Sequence, residues 1–112
     1  MRVLKVSPGE KPKFIDIPNE LEALQKEVEG NIECVGFFNS VVICNEEGAI
    51  NGMEFNVVVS RNMIYGPLLL VGIAGEEAEF CDVPYNEAVD FIIGWTLSIE
   101  QCDRIRKTGR GI

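Results

Sequence analysis

The polar residues best suited to bind a ligand follow the apolar run "VVIC" and form the segment Asn45-Glu46-Glu47-Gly48. Two carboxylates and an amide oxygen could bind a cation there. A calcium loop needs oxygen ligands at alternating positions and a glycine at the sixth, but Ala49 and Ile50 occupy the fifth and sixth positions. Asparagine first and glycine fourth are instead typical of a type I turn, in which we expect Gly48 to adopt a positive φ. The segment is therefore predicted to be a turn without a metal.

A second turn signal, Asn51-Gly52, follows after only two residues. Asn-Gly is the strongest short hairpin signal, yet two turns so close together cannot both close hairpins with full-length strands. We therefore expect one compound loop from Asn45 to Gly52 at an end of the sheet. The exposed rim of this loop would present Glu46, Glu47, Asn51 and Glu54.

The segment "SRNMIYGP" offers hydrogen-bond donors in an otherwise acidic chain, because it contains Arg61, Asn62 and Tyr65. Arg61 is the only basic residue between Lys26 and Arg104. A planar guanidinium beside an aromatic ring suits an anionic or stacked ligand. A single arginine in an exposed loop can also be purely structural, and the sequence leaves both interpretations open.

Motifs for nucleophilic catalysis are absent from the sequence. Histidine is missing altogether, which excludes Ser–His and Cys–His pairs, although lysine or carboxylate bases remain formally possible. No phosphate loop or dinucleotide fingerprint occurs. We therefore expect a non-catalytic protein without a cofactor.

The cysteines are predicted to be reduced thiols of an intracellular protein. All four are widely spaced and lack the close pairs of a zinc knuckle. Cys34 and Cys44 lie among apolar residues, where a free thiol behaves as a small buried hydrophobe. The N-terminus has no continuous apolar stretch of the secretory type. These features predict a cytoplasmic protein without a metal site, and the cysteines concerned are Cys34, Cys44, Cys81 and Cys102.

Charge is unevenly distributed along the chain, whose formal net charge is −8. All 18 acidic residues lie within residues 1–103, whereas the last nine residues carry only cations. An acidic body repels phosphates, which disfavours nucleic acid as the main partner. The basic tail could still touch nucleic acid or an acidic partner, or it could be a solvated end. The basic residues of this tail are Arg104, Arg106, Lys107 and Arg110.

The elements that would position these groups belong to one α+β domain over residues 1–103, followed by a flexible tail over 104–112. Apolar runs separated by short spacers with Asn or Gly predict a small antiparallel sheet. Acidic residues after Gly75 are expected to form a solvated edge. The predicted strands are 1–6, 14–17, 32–38, 41–44, 55–59 and 68–73.

An amphipathic helix is predicted near the N-terminus. Asn19 and Glu22 have the spacing of a capping box at the start of a helix. Gly30 would supply the left-handed residue that ends it. The apolar stripe of this helix would be Leu21, Leu24 and Val28, at helical spacing.

A largely buried helix is predicted near the C-terminus, after Pro84. The segment 88–99 is interrupted by Asp90 and Gly94 and is shorter than the ~20 residues of a membrane span. We therefore expect no membrane association. The apolar positions of this helix are Ala88, Val89, Phe91, Ile92, Trp95 and Ile99.

The order of several motifs resembles the domain-of-unknown-function 3846 family, whose members are small proteins of phages, mobile elements and their bacterial hosts. The motifs are "MRVLKVSPGEKP", "LEALQKEVEGNIECV", "VVICNEEG", "GMEFN" and "IYGPLLLVG", and they cover about residues 1–80. Asn45, Glu46, Glu47 and Asn56 belong to this set. The sequence departs from the family after "CNEEG", where Ala49 and Met53-Glu54 replace a lysine and a Leu-Pro. The resemblance implies an accessory role and no particular activity.

These features together predict a non-catalytic accessory protein of a phage or mobile element, most simply a counter-defence or host-modulating binder. One version inhibits a host protein through the acidic residues Glu46, Glu47, Glu76, Glu77 and Glu79. The other sequesters a nucleotide-type ligand, in a pocket between subunits of a homo-oligomer. A DNA-associated regulator that uses the basic tail and a small enzyme of unknown reaction remain alternatives. The candidate binding residues are Asn45, Glu46, Glu47, Asn56, Arg61, Asn62 and Tyr65.

Overall fold

A six-stranded antiparallel sheet occupies the middle of the protein in a computed structural model, which describes residues 1–108 and their side chains through residue 98. The strand order is β2-β1-β7-β4-β3, with β8 also paired to β7, and β5 and β6 form a separate hairpin. The predicted α+β class is confirmed. The strands are β1 (Arg2–Val6), β2 (Lys13–Asp16), β3 (Ile32–Phe37), β4 (Ser40–Asn45), β5 (Phe55–Val59), β6 (Asn62–Tyr65), β7 (Leu68–Ala74) and β8 (Glu79–Cys81).

The central strand β7 is buried on both faces of the sheet. Its run Leu68–Val71 is fully inaccessible to solvent. Leu69 and Val71 belong to an apolar cluster on one face, and Leu68 and Leu70 belong to a second cluster on the other. A strand covered on both sides reads as a continuous apolar run, which explains the unbroken "LLLV" in the sequence.

Helix α1 (Leu21–Val28) covers the first face. Leu24 and Val28 pack with Val3, Ile43 and Leu69 in the cluster beneath it. The predicted amphipathic helix is confirmed, but Leu21 lies outside this cluster and is exposed. Because Leu21 is the first residue of the helix, it contributes little to the core.

Both ends of α1 differ from the sequence prediction. The capping box is wrong, because Glu20 is the N-cap and no side chain caps the helix. Asn19 instead donates from Nδ2 to the carbonyl oxygen of Phe80 at 2.9 Å, which ties the helix entrance to β8. At the other end Glu29, with φ of 62°, is the left-handed residue, and Gly30 is not.

Helix α2 (Tyr85–Thr108) and the β5–β6 hairpin cover the second face. Ala88 and Phe91 are buried against the sheet, but Ile93 and Leu97 are exposed. The helix is therefore amphipathic over its described side chains, less buried than predicted, and it continues through Gly94. It includes residues 104–108 of the predicted tail, while residues 109–112 lie outside the described part.

Two strands, β6 and β8, were not predicted. The segment predicted to be a donor-rich loop is a tight turn followed by β6. The two turn residues, Ser60 and Arg61, adopt positive φ values of 47° and 68°. Two successive left-handed residues are what a type I′ hairpin turn requires. Asn-Gly and Asp-Gly are the usual residues there, so Ser-Arg gave no recognisable turn signal.

No helix within residues 1–108 is both long enough and apolar enough to cross a bilayer.

Two leucines of α1 provide a matched test of this packing. Leu24 is 2% exposed and Leu21 is 56% exposed. Leu24→Ala should lower the free energy of unfolding by about 3 kcal/mol, because it leaves a cavity under the helix, whereas Leu21→Ala should change it by less than about 0.5 kcal/mol. Urea denaturation followed by circular dichroism measures both values. Equal losses for the two variants would contradict the placement of α1.

Candidate functional site

A polar cleft of about 190 Å³ separates β6 from the ends of β3 and β4. It brings together four of the candidate residues, Asn45, Glu46, Asn62 and Tyr65, with Glu33 beside them. Two carboxylates line this small space and no basic residue does. Its electrostatic field therefore favours a cation or a neutral polar group over an anion.

Asn45 is a structural residue of this cleft, because both ends of its amide are occupied. Its Nδ2 donates to the carbonyl oxygens of Val28 and Glu29, both at 3.1 Å, at the C-terminus of α1. Its Oδ1 accepts from the backbone N–H of Glu47 at 2.8 Å. Asn45 thus satisfies helix carbonyls that lack intrahelical partners and also starts the turn after β4.

Gly30 and Gly48 have no room for a side chain, because other residues pack directly against their Cα atoms. A Cβ on Gly30 would lie 2.6 Å from Asn45 Nδ2, and a Cβ on Gly48 would lie 2.5 Å from the carbonyl oxygen of Tyr65.

The predicted turn at 45–48 is present, with a hydrogen bond from Gly48 N to Asn45 O at 3.4 Å. The predicted positive φ of Gly48 is wrong, since Gly52 is the left-handed glycine of this loop.

The other candidate residues lie outside the polar cleft. Arg61 is exposed in the β5–β6 turn, and Glu47 is exposed on the loop after β4.

The ring of Tyr65 packs edge-on against Phe55, with centroids 5.6 Å apart, at the far end of β6 from Arg61. Arg61 and Tyr65 therefore do not form a joint anion site.

Asn56 ties the hairpin to the sheet. Its Nδ2 donates to the carbonyl oxygens of Val6 at 2.8 Å and Gly66 at 2.9 Å, where the register of β5 and β6 shifts. Its Oδ1 is buried and has no hydrogen-bond partner within the described residues. The side-chain amide of Asn56 on β5 thus hydrogen-bonds to the end of β1.

The glutamates proposed as one acidic surface lie at two ends of the sheet. Ser40 pairs with Gly72, so β7 continues towards Glu76 and Glu77 at the end of β4 opposite to Asn45. The two ends of β4 are about 17 Å apart at the usual rise per residue. Glu46 and Glu47 therefore form one acidic patch, and Glu76 and Glu77 form a separate one.

An apolar groove of about 390 Å³ runs between β5 and α2, and sequence reasoning missed it. Phe37 and Phe91 line it, and their rings meet edge-to-face with centroids 5.2 Å apart. Ser60 Oγ donates to the carbonyl oxygen of Gly36 at 2.8 Å, which fixes the hairpin turn against the edge of β3. The groove is lined by Phe37, Phe38, Val57, Val58, Val59, Ser60, Asp90, Phe91, Gly94, Trp95 and Ser98.

Phe38 stands at the rim of this groove in a strained backbone conformation. It is the first central residue of the two-residue turn between β3 and β4, its φ is 53°, and its side chain is 81% exposed. Bulky residues rarely adopt a positive φ, and such strain costs about 1–3 kcal/mol. The strain opposes stability and the exposed ring gains little from burial, so the surrounding structure must hold this turn in place.

The buried carboxylate of Glu87 holds that turn. One of its oxygens accepts from the backbone N–H of Asn39 at 2.7 Å, and the other accepts from Ser40 Oγ at 2.8 Å. Glu87 lies in the first turn of α2, where the helix dipole favours negative charge. The carboxylate therefore connects the Phe38 turn to the helix that forms the opposite wall of the groove.

A family model described as "Domain of unknown function (DUF3846)" matches residues 1–94. The chain belongs to this family. The match includes all eight strands and α1, and it extends into α2 as far as Gly94. The DUF3846 resemblance predicted from the motifs is confirmed over a longer stretch than expected. No curated protein and no solved structure is significantly similar to the chain.

Cys34 and Cys44 of this DUF3846 protein do not form a joint site, and the side chain of Cys102 lies outside the described part of the structure. Cys34 pairs with Ile43, and Cys44 pairs with Glu33, so the two thiols lie on opposite faces of the sheet. Cys44 is buried as predicted, but Cys34 is exposed, because β3 is the edge strand. Within the described residues, no group of three or more His, Cys, Asp or Glu side chains could hold a metal ion.

The role of Asn45 can be separated from that of the cleft. Asn45→Ala should lower the free energy of unfolding by about 2 kcal/mol, because buried carbonyls at the end of α1 lose their donor. Asn62→Ala is the matched control, since the side chain of Asn62 is exposed and, within the described residues, hydrogen-bonds only to the carbonyl oxygen of Ser60. Urea denaturation should show almost no change for the control. Similar losses in both variants would contradict the structural role.

Cys34 on β3 and Cys44 on β4 should differ in their reactivity toward alkylating reagents. Burial raises the pKa of the Cys44 thiol to about 11, so almost none of it is thiolate at pH 8. Burial also raises the pKa of Cys34, but that residue is exposed. In the native protein at pH 8, iodoacetamide should alkylate Cys44 at least about tenfold more slowly than Cys34, as measured by peptide mass spectrometry. In urea the two rates should become similar; a fast native Cys44 would contradict its placement.

Proposed function

We propose that this protein is a non-catalytic accessory protein of a phage or mobile element, which binds a host protein through the groove between β5 and α2. Its role would be counter-defence or modulation of the host. The observation that carries the proposal is the Phe38 turn, in which a strained backbone presents an exposed aromatic ring at the rim of an apolar groove.

The composition of the groove favours a protein partner. Aromatic residues are enriched at the centres of protein interfaces and often dominate the binding energy. Here Phe38 and the half-buried Trp95 line one concave surface. Val58, exposed on β5, extends the apolar area along the hairpin. An apolar surface of this kind on a charged protein is typical of an interaction site.

The polar cleft gives weaker support to sequestration of a nucleotide-type signal. A nucleotide is anionic, and it would meet the carboxylates of Glu33 and Glu46 in that cleft. Arg61, the cation expected to offset this repulsion, lies in the hairpin turn and does not line the cleft. We therefore place the proposed partner in the apolar groove.

Site-specific photocross-linking in host cells tests the proposal. A photoreactive amino acid at Val58 should capture a defined host protein, whereas the same amino acid at Leu21 should not, because Leu21 is similarly exposed but lies on the α1 side. Adducts that are absent at Val58, or identical at both positions, would argue against the groove.

A substitution then measures the contribution of the exposed ring. Phe38→Ala should weaken binding of the captured protein by at least about tenfold, as expected for an aromatic hot spot. Ile50→Ala is the matched control, because Ile50 is 82% exposed but lies on the loop after β4. Isothermal titration calorimetry with the purified partner gives both affinities. Equal affinities for the two variants would show that Phe38 is not part of the interface.

A further inference from the structure

The groove combines several aromatic rings with one carboxylate. Phe37 meets Phe38 at 4.9 Å between centroids with an interplanar angle of 81°, and it meets Phe91 at 5.2 Å with an angle of 70°. The rings therefore present faces in different directions around one space, and Trp95 lines the same space. The exposed ring of Phe38 and the half-buried ring of Trp95 can attract a cation through their quadrupoles.

Asp90 supplies a negative charge at the same place. It is exposed, it lines the groove on the α2 side, and it forms no ion pair within the described residues. None of the residues that line the groove is basic. An exposed carboxylate without an internal partner is complementary to a cation from outside.

Gly94 keeps the helix wall of the groove open. A glycine inside a helix costs about 1 kcal/mol relative to alanine, so its presence needs a reason. A Cβ at Gly94 would meet nothing within 4 Å, and no neighbour requires its absence. Because Gly94 lines the groove, the missing side chain leaves room for an occupant.

We infer that the groove binds a lysine or arginine side chain of the partner protein. This inference rests on the proposed function and identifies its anchor. The aliphatic stem of the cation lies along Val57 and Val58, as long basic side chains do on apolar surfaces. Its charged head faces the aromatic rings and pairs with Asp90. The net charge of −8 on the chain attracts such a cation at longer range.

Trp95 provides a local readout, because it is the only tryptophan of the chain and lines the groove. The probes are four acetylated, amidated pentapeptides, Ala-Leu-X-Leu-Ala, in which X is lysine, arginine, norleucine or glutamate. Titration of the full chain should change Trp95 emission with the lysine and arginine peptides. Their dissociation constants should be at least about tenfold below that of norleucine, which has a similar stem without the charge. Added salt should weaken binding of the lysine and arginine peptides and leave that of the norleucine peptide unchanged.

Two variants locate the binding. Asp90→Asn should remove most of the preference for lysine over norleucine, whereas Glu46→Gln changes the net charge equally, lies outside the groove, and should preserve it. Gly94→Leu should fill the groove and abolish the response to every peptide. Its thermal unfolding midpoint should stay equal or rise, since leucine favours the helix more than glycine does.

The outcomes separate this inference from the proposed function. Norleucine binding as tightly as lysine, a lysine preference that survives Asp90→Asn, or no response to lysine at millimolar concentration would each overturn the cation inference. If the Val58 cross-link to a host protein persists in any of these cases, the proposed function stands and only the anchor is wrong. If the cross-link is absent as well, both fail.

Discussion

The fold depends on the burial of β7 on both faces of the sheet. Each fully buried leucine or valine of the run Leu68–Val71 contributes about 1.5–3 kcal/mol relative to an exposed side chain, so neither face can be left open to water. Helix α1 covers one face by itself. The other face needs two separate elements, the β5–β6 hairpin and α2. A seam between these two covers is unavoidable, and the apolar groove lies along it.

The groove is shaped by polar contacts as much as by apolar packing. Glu87 connects the turn after β3 to the start of α2, and Ser60 connects the hairpin turn to the edge of β3. A buried carboxylate is expensive unless it is fully hydrogen-bonded, and Glu87 meets this condition with both oxygens. These contacts hold three elements around one concave space. They also explain how the strained Phe38 turn persists in the folded protein.

Several features of the fold could be predicted because their causes are local. The apolar runs of β4, β5 and β7 and the stripe of α1 are visible as periodic patterns over a few residues. Asn45 and Gly48 were correctly assigned to a turn. Their further roles could not be predicted, because Asn45 contacts the end of α1 and Gly48 contacts the backbone of Tyr65, both distant in sequence. The strand β6 was missed because its preceding turn, Ser60-Arg61, lacks the usual turn residues.

The candidate site shows the same limit more strongly. Sequence reasoning selected polar residues, and the structure brought four of them, including Asn62 and Tyr65, around a small cleft. It overlooked the groove, whose members come from β3, β5, α2 and two hairpin turns and include no residue that stands out when read singly. Phe38 gave no signal either, because it was predicted as the last residue of the strand 32–38. The structure shows it at the first central position of a two-residue turn, where glycine, asparagine or aspartate is preferred.

The α+β class, the family, the acidic charge and the order of most elements could all be read from the amino-acid sequence. These properties follow from composition, from periodicity and from motifs within single segments. The folded structure was needed to show which face each element covers, that the Glu46 and Glu76 patches lie at opposite ends of the sheet, and that Asp90 shares a groove with Phe38. Such neighbours are set by antiparallel register and by packing between distant segments, which no local pattern encodes.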